Sequence, residues 1–165
     1  AAENARENGM EGRFSVTQGD IREIAALCPA GWADYVTANP PYLRADCGKR
    51  NADFVKYAAF HEHFGSIADF ARAAAYLLGT GGAFFTVYRP DRLSRLLTAL
   101  SAAGLEPKRL RPVAADVLRA PSLVLVESVK GAAEGMVYEK NLVIYRDSAH
   151  TQYTDELERI YHVFS

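Results

Sequence analysis

Four consecutive residues carry the clearest chemical signal in this chain: Asn39, Pro40, Pro41 and Tyr42, directly after the apolar run "WADYVTA". The run reads as a buried strand. Two prolines in succession stop any helix or ladder and fix the backbone that follows. An amide, two backbone carbonyls and an aromatic ring are thereby held on a stiff elbow at the end of a strand. In open α/β sheets, that end is where ligands bind. The Asn39 side-chain oxygen and the Pro40 carbonyl form a pair of hydrogen-bond acceptors, and Tyr42 offers a ring on which a flat group can stack. Such a set suits an amino nitrogen conjugated to a ring or carbonyl. That nitrogen is a poor nucleophile because its lone pair is delocalised. Two acceptors on its two N–H bonds turn the lone pair toward an incoming methyl group. Catalysis of this kind is alignment plus acceptors aimed at developing charge, and it requires no metal. The competing use of the four residues is a turn that merely ends a strand.

The rest of the chain supplies elements that could position the elbow. Residues 14–18, "FSVTQ", read as a short strand that turns at Gly19 and Asp20 into the helical spacing of "IREIAALC". "SIADFARAAAYLL" predicts a helix, with Ser66 and Asp69 placed as a capping box. "GTGG" reads as the turn after it and "AFFTVYR" as a strand. "PDRLSRLLTALSAAG" predicts a helix, with Pro90 near its first turn and Gly104 after its last. "LEPKRLRPV" and "SLVLVESVK" are later strands, and a terminal helix starts near Thr154. Strands alternating with helices imply βαβ units: an α/β, Rossmann-like, three-layer αβα fold with a mainly parallel sheet and an antiparallel C-terminal edge.

The 165 residues suit one domain, and a net charge of −1 from 19 basic and 20 acidic side chains announces no nucleic-acid partner. Any such partner must meet a local basic face. Arg44, Lys49, Arg50 and Lys56 follow the elbow. Arg89, Arg92, Arg95, Lys108, Arg109, Arg111 and Arg119 form a later group, for which solvated surface is an equal reading. Cys28 and Cys47 lack metal or redox spacing, which fits a reducing, cytoplasmic setting. No apolar run is long enough to cross a membrane. His61, Glu62 and His63 lack the zinc-helix spacing, so no metal is expected there. Tyr57 and Tyr88 could stack on bases, with core packing as the plainer use.

The elbow after a fourth-strand-like segment resembles the class I amino methyltransferases. Together with "NARENGMEGRFSVTQGDI", "RPDRL", "GLEPKRLR", "LVLVESVKG" and "LVIY…YTDELERIY", it is similar over nearly the whole chain to the bacterial methyltransferases that modify N6 of adenine 37 in a valine tRNA. The resemblance implies S-adenosylmethionine as cofactor and tRNA as partner. It implies that Asp20 accepts a hydrogen bond from the cofactor's adenine amino group, with Ile21 against that ring and Asn39 beside it. Asn39, Pro40 and Tyr42 would hold and activate the target adenine, and Pro41, Tyr42, Arg44, Lys49 and Arg50 would contact the substrate.

This fold ordinarily opens with a strand, a glycine-rich turn and a helix around the cofactor's methionine end. Neither that unit nor the next strand is found here. Gly79, Gly81 and Gly82 follow a helix and precede a strand, the wrong context for a nucleotide loop. Residues 1–165 therefore read as the C-terminal part of a single methyltransferase catalytic domain, inactive by itself, with residues 14–18 lacking a neighbour and "WADYVTA" exposing an edge. A glutamine side-chain amide in a release factor poses the same lone-pair problem and stays open as a substrate. So do other RNA or DNA amino groups, and so does a non-catalytic fragment that only binds RNA or a protein.

Overall fold

The computed structural model describes residues 2–10, 12–40 and 65–162. A helix α1 (Ala2–Glu7) stops at Asn8-Gly9, where Gly9 takes a left-handed φ of 63°. A 3-10 turn (Ile21–Glu23) leads into α2 (Ile24–Leu27). Strand β1 (Ala33–Ala38) follows, then α3 (Ile67–Leu77) and β2 (Leu78–Tyr88). Pro90 opens a 3-10 turn that runs into α4 (Leu93–Ala102), and Gly104, at φ 74°, stops that helix. Strands β3 (Leu105–Ala114) and β4 (Leu123–Lys130), the short β5 (Val137–Tyr138) and β6 (Leu142–Val143), and α5 (Asp155–His162) complete the chain.

The six strands form one sheet in the order β1-β2-β4-β3-β5, with β6 also on β3. β1 and β2 are parallel, and β4 is antiparallel to both β2 and β3. Only β4 runs against the rest. The antiparallel strand expected at the C-terminal edge is thus β4, two places in from β5. A helical crossover carries the chain from β2 past one position to β3. The following link, residues 115–122, is long enough only to bring β4 back into the gap between them.

Ser66 and Asp69 form the predicted capping box at the start of α3. Asp69 accepts from the Ser66 backbone N–H at 2.6 Å, and the Ser66 hydroxyl accepts from the Asp69 N–H at 3.4 Å. The other end of α3 is held from across the sheet. Lys130 of β4 donates from Nζ to the carbonyls of Ala75 (2.6 Å) and Leu78 (2.7 Å), a cation against the negative end of the helix. Ile67, Ala71 and Ala74 of α3 and Leu96 and Leu100 of α4 pack on Phe84, Tyr88, Leu110, Val124 and Val126. These helices cover one face of the sheet. The opposite face presents Phe85 and Leu125 to solvent, and Tyr35 still more so.

Two expectations differ from the structure. Residues 14–18 carry no strand, and Phe14 and Val16 are about half exposed. Their alternation of apolar and polar residues has no neighbouring strand to satisfy among the described residues. "GTGG" is no separate turn but lies inside β2 as an irregularity. Ala33 pairs with Leu78 and Tyr35 with Ala83, so β2 spends five residues where β1 spends two. A Cβ on Gly82 would meet the Gly79 carbonyl at 3.0 Å and the Asp34 carbonyl at 3.1 Å, which is why glycine stands there.

Candidate functional site

The topology brings the described candidate residues to one edge. β1 and β2 run parallel, so the helix between them returns antiparallel and its N-terminus lies at the carboxyl ends of the strands. Val36 and Ala38 of β1 pack on the core. The next residue, Asn39, is exposed, and Pro40 is fully buried. The elbow thus begins on an exposed residue, and its first proline ring is anchored inside. Pro41, Tyr42, Arg44, Lys49 and Arg50 lie outside the described residues, as do Cys47, Lys56, Tyr57, His61, Glu62 and His63.

Asp20 and Ile21 reach the same edge. A Cβ on Gly65, which has φ 102°, would meet Ile21 Cγ2 at 3.1 Å, so Ile21 lies against the residue just before the Ser66 cap of α3. Asp20 is the N-cap of the 3-10 turn and accepts from the Arg22 backbone N–H at 2.9 Å. Its two oxygens also accept from Arg22 Nε at 2.9 and 3.0 Å, and the terminal guanidinium nitrogen closes the pair. Those bonds draw heavily on the lone pairs a carboxylate offers. For Asp20 to take an adenine amino group, the exposed guanidinium must give way. The sequence offered no sign of this pairing beyond the two-residue spacing.

Beside the elbow, β2 ends in Tyr88, which is buried. Burial pushes its phenol up from the ordinary value, and the ring serves the core rather than a stacking platform. Arg89 folds back on Asp91 with two bonds, Nε to Oδ1 at 2.8 Å and a terminal nitrogen to Oδ2 at 3.1 Å. The bond from Arg89, outweighing what little burial there is, holds the Asp91 carboxyl below its usual range. Arg89, Pro90 and Asp91 line a cavity of about 500 Å³ with Pro121, Ser122 and Leu123 from the start of β4. Sequence reading found Arg89 but not the link 121–123 that faces it, because the partner is set by where β4 inserts.

Several of the later basic group pair with neighbouring groups of the protein. Arg109 bonds Glu139 at 2.7 Å and Glu127 at 3.1 Å, and Arg111 bonds Glu156 at 2.6 Å. Arg119 lies 3.3 Å from Asp116, and Lys108 donates to the Ala133 carbonyl at 3.0 Å. These cations are matched by the protein's own acids and carbonyls. Among the described residues no cluster of His, Cys, Asp and Glu could hold a metal ion, and no helix is long and apolar enough to cross a membrane.

No protein-family model matches the sequence, and no curated protein does. Solved structures do match in shape. A predicted O-methyltransferase from Agrobacterium tumefaciens superposes with a TM-score of 0.75 at 16% identity, covering 98% of this chain and 68% of that one. A protein from Thermus thermophilus described as a DNA modification methylase, solved with S-adenosyl-L-methionine, gives 0.53 at 15% identity, covering 89% of this chain and 72% of that one. The cyclase SpnF gives 0.55 at 14% identity, with 80% of this chain and 62% of that one covered. The fold is the Rossmann-like fold of class I methyltransferases, and this chain spans about two thirds of each of these three structures. A cyclase among them shows that the fold by itself does not fix the reaction.

Proposed function

We propose that the chain is the C-terminal part of an S-adenosylmethionine-dependent methyltransferase that methylates N6 of adenine in tRNA. The observation that carries the reading is the elbow itself. Asn39 stands exposed at the carboxyl end of β1, locked by a buried Pro40 and followed in sequence by Pro41 and Tyr42. The Asn39 amide oxygen and the Pro40 carbonyl accept the two N–H bonds of the amino group and turn its lone pair outward. Tyr42 stacks on the base, and Arg44, Lys49 and Arg50 meet the flanking phosphates.

The residues present fit one end of the cofactor. Asp20 and Ile21 share an edge with Asn39 and suit its adenine, once Arg22 yields. When bound, S-adenosylmethionine supplies the methyl group as a sulfonium that needs no further activation. Its methionine end requires a backbone cradle that the described residues do not supply. We assign that cradle to a further segment of the same protein. Supporting this, among the described residues, are the open edge of β1, the unpaired residues 14–18 and the uncovered sheet face. The match to two thirds of a larger structure points the same way.

The test is methyl incorporation by the whole protein into tRNA, with release factor as the competing acceptor. Labelled N6-methyladenine in tRNA is the expected product. Label on a glutamine side chain alone moves the chemistry to a protein substrate, and absence of transfer to either overturns the reading.

A further inference from the structure

The turn between β3 and β4 stands at the same edge of the sheet as the elbow. β4 is antiparallel to both of its neighbours, so β3 runs parallel to β1 and β2, and residues 115–122 follow its carboxyl end. At the tip of the turn, Val117 is 75% exposed and Leu118 83%. They are the two most exposed large apolar side chains among the described residues. Scattered apolar residues on a surface need no explanation, but two adjacent ones on a braced turn do. The brace is Asp116, which is buried. Its Oδ1 accepts from the Leu118 N–H at 2.8 Å, and its Oδ2 lies 3.0 Å from His150 Nε2 and 3.3 Å from Arg119 Nε. His150 stacks on Tyr145 with ring centroids 4.7 Å apart, and the Tyr145 N–H donates to the Ala115 carbonyl at 2.8 Å. Pro121 restricts the backbone where the turn ends, and the Ser122 N–H donates to the Val113 carbonyl at 2.9 Å. The backbone under Val117 and Leu118 is therefore set before anything binds, and a ligand pays little to order it.

We propose that Leu118, with Val117 beside it, is a wedge that enters the base stack of an RNA next to the adenine offered to the elbow. The proposal rests on the nucleic-acid reading above and adds a second contact to it. A base must leave its stack to reach a pair of acceptors on a sheet edge, and apolar side chains inserted between bases hold such a stack open. Three observations favour this occupant. The first is reach. β4, into which the turn leads, is two strand steps from β1, about 10 Å at roughly 4.8 Å per step, which is about three nucleotides at about 3.4 Å each. One RNA strand therefore meets both the elbow and the turn. The second is charge. Asp116 is the only acid in residues 115–122 and is buried, whereas the Arg119 side chain is 64% exposed. The side of the turn that faces a partner thus presents a cation and no carboxylate, as a phosphate backbone requires. The third is size. The exposed apolar residues of the turn are Val117, Leu118 and Ala120. They fall far short of the roughly 1,000 Å² that a stable protein interface buries, but two branched side chains fill the gap between two bases.

The experiment uses the whole protein and a short RNA stem-loop with one adenine in the loop and the fluorescent base 2-aminopurine directly 3′ to it. Unstacking brightens 2-aminopurine, so wild type should raise its emission on binding. Leu118→Ser is expected to abolish that rise and to weaken binding about tenfold, the loss expected when a buried leucine contact is removed. Leu118→Met, which keeps an apolar side chain of similar size, stays within about twofold of wild type in both readouts. Thermal midpoints shift by no more than about 3 °C at so exposed a position. An emission rise and an affinity that Leu118→Ser leaves unchanged overturn the wedge, as does wild-type protein that binds no stem-loop. Loss of affinity for release factor in Leu118→Ser, with RNA binding intact, makes the turn a protein contact and also overturns it. The methyl-transfer assay separates the two readings. If wild type methylates RNA while Leu118→Ser matches it in emission and affinity, the wedge alone falls. If no methyl is transferred while Leu118→Ser loses the emission rise, the insertion stands and the chemistry falls.

Discussion

At the scale of single residues, the strongest expectation concerns one amide. In the proposed chemistry, Asn39 contributes an acceptor that only a transition state with a developing positive nitrogen uses fully. Asn39→Ala in the whole protein should lower the methyl-transfer rate about 10²- to 10³-fold, as removal of one preorganised hydrogen-bonding group does elsewhere. The side chain is exposed, so the thermal midpoint should stay near wild type. Full activity in that variant would sink the elbow assignment. Asp116 gives a second residue-scale prediction, on stability. The hydrogen bond from His150 is the largest influence on its carboxyl and outweighs burial. With the Leu118 N–H at 2.8 Å and Arg119, it holds the group below the ordinary carboxylate value. An unfolded aspartate titrates near about 3.9. The stabilisation is therefore fully present above that pH and fades as pH falls through the lower folded-state value. Thermal midpoints of wild type and Asp116→Asn, compared between pH 6 and pH 3, should stand apart at the upper end and draw closer as pH falls below the ordinary carboxylate value. A gap that stays constant across that range contradicts the linkage. The Asp116–His150 pair was not legible in the sequence. The partners lie 34 residues apart, and only the parallel seat of β6 on β3 brings them together.

Among the elements, the legible ones were those whose instructions fit within a few adjacent residues. The Ser66–Asp69 box, Pro90 and Gly104 each act on their own helix, and each helix begins or ends where they indicate. Ser66→Ala should cost about 1 kcal/mol of unfolding free energy, measured by urea titration. It removes the hydroxyl that accepts from the first turn of α3, while the Asp69 carboxylate keeps its bond to the Ser66 backbone. An unchanged midpoint would mean that the box is decorative. Ladders are another matter. Residues 14–18 have the alternation of a strand, yet alternation describes a face and not a partner, and among the described residues no partner stands beside them. "GTGG" was misplaced for the complementary reason. Its glycines do mark a departure from regular backbone, but the departure is absorbed within β2, because β1 supplies a ladder on either side of it.

At the scale of the whole molecule, the sheet has two faces, and the described helices clothe one of them. α3 and α4 bury Phe84, Val124 and Val126, while Phe85 and Leu125 at neighbouring positions look outward. Phe85, Val87 and Leu125 floor a cavity of about 350 Å³, rimmed by Arg109, Arg111, Glu127 and Glu139. Tyr35 lies 6.2 Å from Phe85, ring to ring, and continues this apolar surface to the open edge of β1. A contiguous apolar face bounded by an unpaired strand edge is a surface that proteins ordinarily cover. The proposal that a further segment of the same protein supplies the cofactor cradle makes that segment the cover. Trp32, the only tryptophan in the sequence, reports on it without labelling. It precedes β1 directly and is 62% exposed. In the 165-residue chain its fluorescence should be water-like and quenched efficiently by acrylamide. In the whole protein, pairing along β1 and packing over Tyr35 should shift the emission to the blue and cut the quenching severalfold. Identical spectra and quenching in the two would show that nothing else in the protein seats against β1, and the assignment of the missing cradle to such a segment would fail with it.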